Sequence, residues 1–563
     1  MKDLIKTLRN KFYEYDIDGY VVPKNDEFFS EFSSKDRLKK ISGFTGSAGY
    51  AVILKNKNLL FVDGRYTIQA KIESGRNFQI VDYIKLFHCK VFKNLKLGLD
   101  PSLFTSKQID IFFSNNKIKL INKNLIDEII KYKKKKDKPF YSLNKKIVGE
   151  SHQSKLSKLI KILKKNKLDH IFITAPENIA WLLNIRGFDS PYSPIPNSNL
   201  IISKNGNKFL FVDKKKSKKI IYEKKIKKEN IINPEKIRIF FENLKGKKIL
   251  IDVKTCSIYF ENLLSNNFRI IKKDDPIYYL KSIKNRVEIN NMIKSHIIDG
   301  VALTKFIHWI KEINKKKITE VDAQNKLENF RKKNKEYLFP SFNTIAGSGK
   351  NGAIVHYRAT KKNTKYINKK DIFLCDSGGQ YKYGTTDVTR TMCFSKPNSK
   401  IKRIFTQVLK GHIAVANTDL TKKKTGKEID KEARKYLKKD KLSYNHGTGH
   451  GVGYFLNVHE GPQAISKLNS IKIKNGMVLS NEPGYYKKNK FGIRIENLIY
   501  AKKDKQKLTF KNLTMAPIDQ DLIDYNLLTK MEKNYLFNYH YEVYSKISSF
   551  LNKKQKKWLA RFI

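Results

Sequence analysis

Short apolar runs that end in turn-forming residues occur twice in the first half of the chain, in the same order. Each run is rich in β-branched and aromatic residues and then meets Pro, Asn or Gly, as a strand entering a turn does. Three such pairs lie about 150 residues apart, and their shared order favours two copies of one α/β unit over chance similarity. The pairs are DGYVVPKNDEF (18–28) with DHIFITAPENI (169–179), SGFTG (42–46) with IRGFD (185–189), and LLFVDGR (59–65) with FLFVDKK (209–215).

The second half opens with a helical pattern and then alternates helices with strands. A lysine-rich stretch at 132–139 suits an exposed linker between the two copies, and a second boundary is predicted near Asp275–Pro276. Apolar residues recur at helical spacing over 285–313, and 534–562 is again helical. We therefore predict an α/β (α+β) fold with domains 1-140, 141-280 and 281-563, the first two related and the third carrying a helical C-terminal extension.

Length and composition require a folded protein of more than one domain. The chain has 563 residues, whereas single cores stop growing at roughly 250–300 residues. Hydrophobic residues make up 40% and aromatic residues 12%, which excludes a largely disordered chain. The net charge of +62 raises the question of nucleic-acid binding. Because the lysines are scattered and no recognition motif gathers them, we expect solvated surface lysines and no specific nucleic-acid partner.

The cysteines and the N-terminal segment indicate where the protein works. Four cysteines without a CxxC pair are typical of a reducing compartment: Cys89, Cys256, Cys375 and Cys393. The first residues carry charges every few positions and contain no apolar core of a signal peptide. No run of about 18 uncharged apolar residues exists, so no membrane span is predicted. We expect a cytoplasmic protein with no membrane partner.

Five segments near the end of the chain combine carboxylates or imidazoles with glycine-rich or strand-like surroundings. Asp376 ends the apolar run IFLCD and Asp387 lies in TTDVTRTMCF, so a hairpin can bring the two carboxylates together. Adjacent buried carboxylates repel, and a divalent cation removes that penalty. Alternatively, Asp376 caps a turn. The run AIVHY predicts a strand that holds His356. The segments are IVHY, CDSGGQYKYGTTDVTR, HGTGHGVG with VHEGP, NEPGYY and GIRIEN.

Histidines and glutamates extend this candidate set. His446 and His450 are separated by GTG, which favours a glycine-rich loop over a helix, and a third histidine follows in VHEGP. Glu482 follows an apolar run into a turn, and Glu496 is predicted mid-strand with Arg494 on the same face. The alternative for the last two residues is a surface Arg–Glu ladder. An oxygen-rich set with one imidazole suits two hard divalent ions such as Mn²⁺, which can hold a hydroxide and polarise a carbonyl group.

Longer strings around these residues resemble one family of enzymes. DSGGQYKYGTTDVTRT, HGTGHGVGYFLNVHEGP, NEPGYY and FGIRIEN are similar to the pita-bread metallopeptidases, and most closely to their large, three-domain, cytosolic Xaa-Pro aminopeptidases. GFTGSAG and VDGRYTIQA resemble the N-terminal domain of that group, and WLLNIRG resembles its middle domain. The resemblance implies a catalytic pita-bread domain, two divalent ions of Mn²⁺ type, and a homodimer formed through the C-terminal domain. It also implies hydrolysis of N-terminal Xaa-Pro bonds by a metal-bridging hydroxide, with peptides that carry proline second as substrates.

The resemblance further implies a role for each candidate residue. Asp376 would bind one metal ion, and Asp387 and Glu496 would bridge both ions. His450 and Glu482 would complete the second site, and Glu482 would also carry the proton of the attacking water. The remaining candidates would contact substrate (His356, His459), line the pocket (His446) or orient the ligands (Tyr486, Arg494).

Two other functions stay open on the sequence alone. A prolidase would cleave only Xaa-Pro dipeptides, and the duplicated first half together with GTGHGVGYFLNVHEGP favours the aminopeptidase instead. A metal-free binding protein of the same fold is the other alternative, and the presence of all five ligands argues against it.

Overall fold

A computed structural model of the chain describes residues 2–89, 91–132, 137–313 and 318–563. The lysine run 133–136 of the predicted linker lies outside these residues. The chain divides into two compact units, Met1–Tyr278 and Tyr279–Ile563. The three-domain division at 140 and 280 stays a prediction. In the part of the chain that is described, no helix is both long enough and apolar enough to cross a membrane.

Strands and helices alternate along the first unit. Its strands are β1 (Gly19–Pro23), β2 (Tyr50–Leu54), β3 (Asn58–Val62), β4 (Gln79–Asp82), β5 (Lys96–Leu99), β6 (Lys117–Leu120), β7 (Tyr141–Ser142), β8 (His170–Ile173), β9 (Ile185–Arg186), β10 (Asn199–Ser203), β11 (Lys208–Phe211), β12 (Ile231–Ile232), β13 (Lys248–Asp252) and β14 (Arg269–Lys273). Its helices are α1 (Lys2–Glu14), α2 (Arg37–Ser42), α3 (Thr67–Ser74), α4 (Ser106–Phe112), α5 (Leu125–Ile129), α6 (Lys145–Val148), α7 (His152–Lys165), α8 (Pro176–Leu183), α9 (Lys214–Tyr222), α10 (Ile237–Asn243), α11 (Ile258–Ser265) and α12 (Pro276–Ser282), whose last residues belong to the second unit.

Two six-stranded sheets in this unit share one topology. Their strand orders are β4-β3-β2-β1-β5-β6 and β12-β11-β10-β8-β13-β14. β1 pairs antiparallel with β2 and parallel with β5, and β8 pairs in the same way with β10 and β13. The fully buried runs that form β1 and β10 explain the apolar patterns, because both faces of these strands are covered. This equivalence confirms the predicted pair of related α/β units.

The second unit contains the candidate chemistry. Its strands are β15 (Tyr337–Pro340), β16 (Ile345–Ser348), β17 (Phe373–Ser377), β18 (Gly379–Tyr381), β19 (Gly384–Thr385), β20 (Val388–Met392), β21 (Gly449–Gly451), β22 (Glu460–Ile465), β23 (Val478–Asn481), β24 (Gly484–Lys487), β25 (Phe491–Arg494), β26 (Asn497–Asp504) and β27 (Lys507–Asn512). Its helices are α13 (Arg286–Glu312), α14 (Glu320–Lys332), α15 (Ser399–Ala416), α16 (Gly426–Lys439), α17 (Lys530–Ile547) and α18 (Lys553–Ala560).

Four small sheets and the surrounding helices build this unit. The strand orders are β15-β18-β19, β16-β17-β20, β22-β21-β23-β26-β27 and β24-β25. The helix predicted over 285–313 is α13, and its N-terminus is closed by a capping box between Asn285 and Glu288. The predicted helical tail is α17 followed by α18, and both pack on the same apolar core as α13 and α15. Most of the candidate site residues lie on or next to strands of three of these four sheets: β17 and β20, β21 and β23, and β25.

Candidate metal centre

The two aspartates come from paired strands, as predicted. β17 and β20 are antiparallel, with Asp376 opposite Thr389 and Ser377 opposite Val388. Asp387 directly precedes β20 and therefore lies at the same end of this pair. The turn-rich stretch between the strands is itself folded, because β18 and β19 form a small hairpin in another sheet. Both aspartates are buried, so Asp376 does not serve as an exposed turn cap.

Glu496 does not lie in the middle of a strand, which corrects the sequence-based expectation. It occupies a two-residue break between β25 and β26, where the chain passes from one sheet to another. The break arises because β25 pairs with β24, whereas β26 pairs with β23. Arg494 and Glu496 are only 1% and 2% exposed, so a surface Arg–Glu ladder is wrong.

His450 and Glu482 reach the same region from the five-stranded sheet. His450 lies in the short strand β21, not in a loop, and a bulge follows it. Its Nδ1 atom donates to the carbonyl oxygen of Gly451 at 2.9 Å, and its Nε2 atom faces the carboxylates, where it can bind a metal ion once deprotonated. Glu482 directly follows β23, as predicted, and its Oε1 atom accepts a hydrogen bond from Ser480 Oγ at 3.0 Å.

These side chains converge on one point. His450 Nε2 lies 3.4 Å from Asp387 Oδ2 and 3.5 Å from Glu482 Oε1. Asp387, His450 and Glu496 each offer one ligand atom, and these atoms lie within 4.8 Å of one another. Among the described residues, Asp376 Oδ1 and Asp387 Oδ1 are buried oxygens without a hydrogen-bond donor. Buried carboxylate oxygens need a partner, and a cation satisfies them, so the donor set fits divalent metal ions.

A chain of polar contacts leads from Asp376 to the pocket. Arg494 Nη2 donates to Asp376 Oδ2 at 2.5 Å, and Arg494 Nη1 donates to Tyr486 Oη at 2.5 Å. Tyr486 Oη lies 3.0 Å from His446 Nε2. Because His446 Nδ1 contacts the Gly447 carbonyl oxygen, the Nε2 atom can accept the tyrosine proton. The structure thus joins three of the predicted site residues to one carboxylate.

The other two histidines are placed differently. The His459 ring lies edge-on to the His450 ring, with centroids 4.3 Å apart, and the residue is exposed. His356 is half-buried in a turn that follows the 3₁₀ helix Gly349–Ala353, so the predicted strand AIVHY is wrong. That 3₁₀ helix approaches β25 closely, because a Cβ atom added at Gly492 would meet the Gly352 carbonyl oxygen at 1.8 Å. His356 therefore follows a segment that packs against β25, the strand that ends at Arg494.

Comparisons with known proteins identify the family. The sequence profile described as "Metallopeptidase family M24" matches residues 290–503, and that of the C-terminal region of peptidase M24 matches 506–562. Two profiles of the "Creatinase/Prolidase N-terminal domain" match residues 5–110 and 131–288. A "Probable Xaa-Pro aminopeptidase P" from Laccaria bicolor is 36% identical, and the alignment covers 98% of this chain and 92% of the relative. The chain belongs to metallopeptidase family M24, in its Xaa-Pro aminopeptidase branch.

Solved structures agree with this family assignment. An X-prolyl aminopeptidase from Caenorhabditis elegans, described as a cytosolic enzyme with a di-nuclear active site, is 29% identical with a TM-score of 0.91. The match covers 99% of this chain and 98% of that one. A prolidase from Pyrococcus furiosus is 28% identical with a TM-score of 0.52, covering 63% of this chain and 98% of its own. The predicted pita-bread fold with creatinase-like N-terminal domains is confirmed, and the M24 chain is a metal-dependent hydrolase.

Burial and mutual repulsion dominate the electrostatics of the M24 centre. Burial raises the pKa of Asp376, although the Arg494 guanidinium opposes the rise. Burial also raises the pKa values of Glu482 and Glu496, with further repulsion from Asp387. For His450, burial lowers the pKa, but the carboxylates of Asp387 and Glu482 outweigh it and raise the pKa to about 9. So many acidic groups cannot ionise together without added positive charge, which a pair of divalent cations supplies.

Sequence reasoning missed several residues that hold the M24 centre in place. Thr389 Oγ1 donates to Glu496 Oε2 at 2.7 Å and accepts from Arg494 Nε at 2.9 Å. Its neighbour Arg390 is buried and donates to the Glu496 carbonyl oxygen at 2.6 Å. Arg390 was hard to identify from the sequence, because it lies between two threonines in the strand VTRTM and most of its acceptors are distant in sequence.

Proposed function

We propose that this M24 chain removes the first residue from peptides that carry proline in second position, with two Mn²⁺ ions as cofactors. The observation that carries the proposal is the convergence of four carboxylates and one imidazole, with two buried oxygens unsatisfied, in a chain that aligns end to end with Xaa-Pro aminopeptidases. Oxygen-rich donor sets favour hard ions such as Mn²⁺ over thiolate-binding metals.

Each ligand has a proposed place in this centre. Asp376 would hold one ion, His450 and Glu482 would hold the other, and Asp387 and Glu496 would be shared between the two. The proton on His450 Nδ1 supports its role, because metal-binding histidines commonly donate their other N–H to a carbonyl oxygen. When bound, the ions activate water at neutral pH and polarise the scissile carbonyl group.

Proton transfer is assigned to Glu482. Its Oε1 atom lies 3.5 Å from His450 Nε2, at the proposed metal centre, where a carboxylate can act first as general base and then as general acid. Ser480 holds one carboxylate oxygen at 3.0 Å, so the side chain is oriented before substrate binds. We assign to Glu482 the proton of the attacking water and its delivery to the proline nitrogen, which carries no hydrogen of its own in the peptide.

The histidines and Tyr486 are assigned to the substrate side. His459 is exposed beside the His450 ring and can donate to the carbonyl oxygens around the scissile bond. His356 has the same proposed role. His446 and Tyr486 continue the contacts that start at Asp376, so they orient the ligand and border the pocket.

An aminopeptidase is better supported than a prolidase. The relatives named Xaa-Pro aminopeptidase P align over 98–99% of this chain, whereas the Pyrococcus furiosus prolidase structure covers 63% of it. All five proposed ligands converge, which disfavours a metal-free binding protein. We further propose a cytoplasmic homodimer formed through the C-terminal domain. Exposed aromatic residues on α17, Phe537 and Tyr541, support such a contact. No specific nucleic-acid partner is proposed.

A matched peptide set tests the specificity. Protein loaded with Mn²⁺ is offered Arg-Pro-Pro, N-acetyl-Arg-Pro-Pro, Arg-Ala-Pro and the dipeptide Arg-Pro, and released arginine or N-acetylarginine is measured by chromatography. We expect rapid cleavage of Arg-Pro-Pro and slow or absent cleavage of the acetylated and alanine peptides. Efficient cleavage of either of these two peptides would contradict the proposal, and cleavage of the dipeptide alone would indicate a prolidase.

A further inference from the structure

We propose that Arg390 is a positioning residue through which the C-terminal region of the chain holds Glu496 in place for metal binding. The inference rests on the proposed role of Glu496 as a ligand of both ions. It concerns a different part of the chain, because Arg390 itself is not a candidate ligand and does not contact substrate.

Arg390 joins two distant stretches of the chain through six hydrogen bonds. On the metal-centre side, Nη1 donates to the carbonyl oxygens of Thr389 and Glu496 at 2.9 and 2.6 Å, and Nη2 donates to Asn497 Oδ1 at 2.8 Å. Arg390 thus binds the main chain of Glu496 and the side chain of the next residue, Asn497.

On the other side, all acceptors belong to the region matched as the C-terminal region of peptidase M24. Arg390 Nε donates to the Pro517 carbonyl oxygen at 2.9 Å, and Nη2 donates to the Ala516 carbonyl oxygen at 2.8 Å and to Tyr539 Oη at 2.9 Å. Tyr539, on α17, donates in turn to the Ala516 carbonyl oxygen at 2.7 Å. The Arg390 guanidinium therefore connects α17 with the break between β25 and β26 that contains Glu496.

The chemistry of this contact is unusual for a structural arginine. Arg390 is 2% exposed, and its six acceptors are all neutral. A buried guanidinium without a bonded carboxylate is costly unless negative charge lies near, and the Glu496 carboxylate supplies such a charge. Only arginine offers five N–H donors in a fixed plane, and lysine cannot reach the same acceptors.

Side-chain contacts extend the effect of Arg390 to the Glu496 carboxylate itself. Thr389, whose carbonyl oxygen Arg390 binds, donates through Oγ1 to Glu496 Oε2 at 2.7 Å. In the break between β25 and β26, the Glu496 amide donates to the Thr389 carbonyl oxygen at 3.1 Å. Arg390 binds that same Thr389 oxygen and also the Glu496 carbonyl oxygen, so it fixes both ends of this backbone contact. Weakening the Arg390 contacts should therefore displace the Glu496 carboxylate and weaken metal binding.

Tyr539→Phe is the primary test, because it removes one hydroxyl group and keeps the ring. The matched control is Tyr535→Phe, one turn earlier on α17. The Tyr535 ring stacks on Tyr539, and its hydroxyl accepts from Asn512 at 3.2 Å without touching Arg390 or Glu496. Arg390→Lys is the second variant. Metal-free protein of each form is titrated with Mn²⁺ by calorimetry, its melting temperature is recorded, and kcat and KM are measured with Arg-Pro-Pro.

We expect Tyr539→Phe to bind Mn²⁺ about tenfold more weakly, which is near the lower end of the losses seen when a hydrogen-bond partner of a metal ligand is removed. Its kcat should fall, with little change in KM. Arg390→Lys should lose more. The metal-free melting temperatures of the two tyrosine variants should fall by similar amounts. Wild-type Mn²⁺ affinity in Tyr539→Phe or Arg390→Lys, or equal weakening in Tyr535→Phe, would overturn this inference. A wild-type chain that binds no Mn²⁺ would instead overturn the proposed metal centre.

Discussion

At the scale of single residues, the candidate ligands differ in how much surrounding structure each one needs. Asp376 is held by Arg494, and Glu496 by Thr389, whereas Asp387 Oδ1 has no donor in the described part of the chain. Asp387 also lies 3.4 Å from His450 Nε2, at the centre of the cluster. The position of such a residue, at the centre of the cluster but with few protein contacts, depends mainly on the metal ions.

We therefore predict that the Asp387→Asn variant binds neither metal ion and loses most or all of the peptidase activity. The amide keeps the shape but removes the charge and offers N–H groups to neighbouring cations. Elemental analysis of purified protein measures the bound metal. Asp504→Asn, at the exposed end of β26, is the control and should keep full metal content. Two equivalents of metal in Asp387→Asn would contradict its bridging role.

His459→Ala should behave in the opposite way. This histidine is exposed and lies against the His450 ring, so its removal leaves the ligand set intact. We expect unchanged metal content and a loss of about 10²–10³-fold in kcat, the usual effect of removing one donor to a transition state. His356→Ala should resemble it. Loss of one metal equivalent in either variant would instead assign that histidine to the ligands.

The site residues that were predicted from the sequence share a feature that is visible in short sequence segments. Carboxylates and histidines are rare inside apolar strands and glycine-rich turns, so each stands out against its neighbours. Arg390 and Ser480 do not, because their meaning depends on partners that are distant in sequence, such as Tyr539 and the Glu482 carboxylate. Hydrogen bonds between residues that are so far apart in sequence can be identified only when the fold is known.

At the scale of secondary structure, predictions failed where the chain changes sheets. The pattern around Glu496 reads as one strand, yet β25 and β26 belong to different sheets. The apolar run before His356 reads as a strand, yet it forms a 3₁₀ helix and a turn. In both places tertiary pairing overrides local propensity. The long helix α13 was predicted correctly, because its periodicity and capping residues are local properties.

A buried cluster of charged side chains anchors the start of strand β22. Glu460, the first residue of β22, contacts Lys281 at 3.0 Å and also Lys284, and all three side chains are at most 2% exposed. We predict that Glu460→Gln lowers the free energy of unfolding by about 3–5 kcal/mol, because it removes the negative charge that two buried ammonium groups share. Urea unfolding of metal-free protein measures the change.

The control for that experiment is the more exposed pair of Arg403 and Asp440. Asp440→Asn should cost less than about 1 kcal/mol, since solvent screens surface ion pairs. If Glu460→Gln cost no more than this control, the cluster would contribute nothing to anchoring β22. Because His459 directly precedes β22, we also expect Glu460→Gln to raise KM.

At the scale of the whole molecule, acid should weaken the second unit through two buried histidines. Burial lowers the pKa values of His412 and His540 to about 3, with a further contribution from the Arg390 charge. Both stay neutral when folded, whereas an unfolded histidine takes up a proton below about pH 6.5. The stability that these groups contribute is therefore complete above pH 6.5 and is lost as the pH falls toward 3, by about 1.4 kcal/mol per pH unit for each histidine.

His540→Gln isolates this effect. Glutamine can still accept the hydrogen bond from the Ile518 amide, but it does not titrate. We expect the free energy of unfolding of the variant to fall less steeply between pH 7 and pH 5 than that of the wild type. Urea unfolding of both proteins at several pH values gives the two slopes. Parallel slopes would show that His540 takes up its proton over the same pH range in the folded and the unfolded protein.

The matching topology of the two six-stranded sheets also bears on how such genes change over time. The copies lie about 150 residues apart in the same orientation, so unequal recombination between them would excise one copy and keep the reading frame. The product would carry a single α/β domain ahead of an unaltered catalytic unit. Loss of about 150 residues would leave roughly 73% of this chain, whereas the Pyrococcus furiosus prolidase structure matches 63% of it. Gain or loss of one such domain would therefore account for most, but not all, of the length difference between the two proteins.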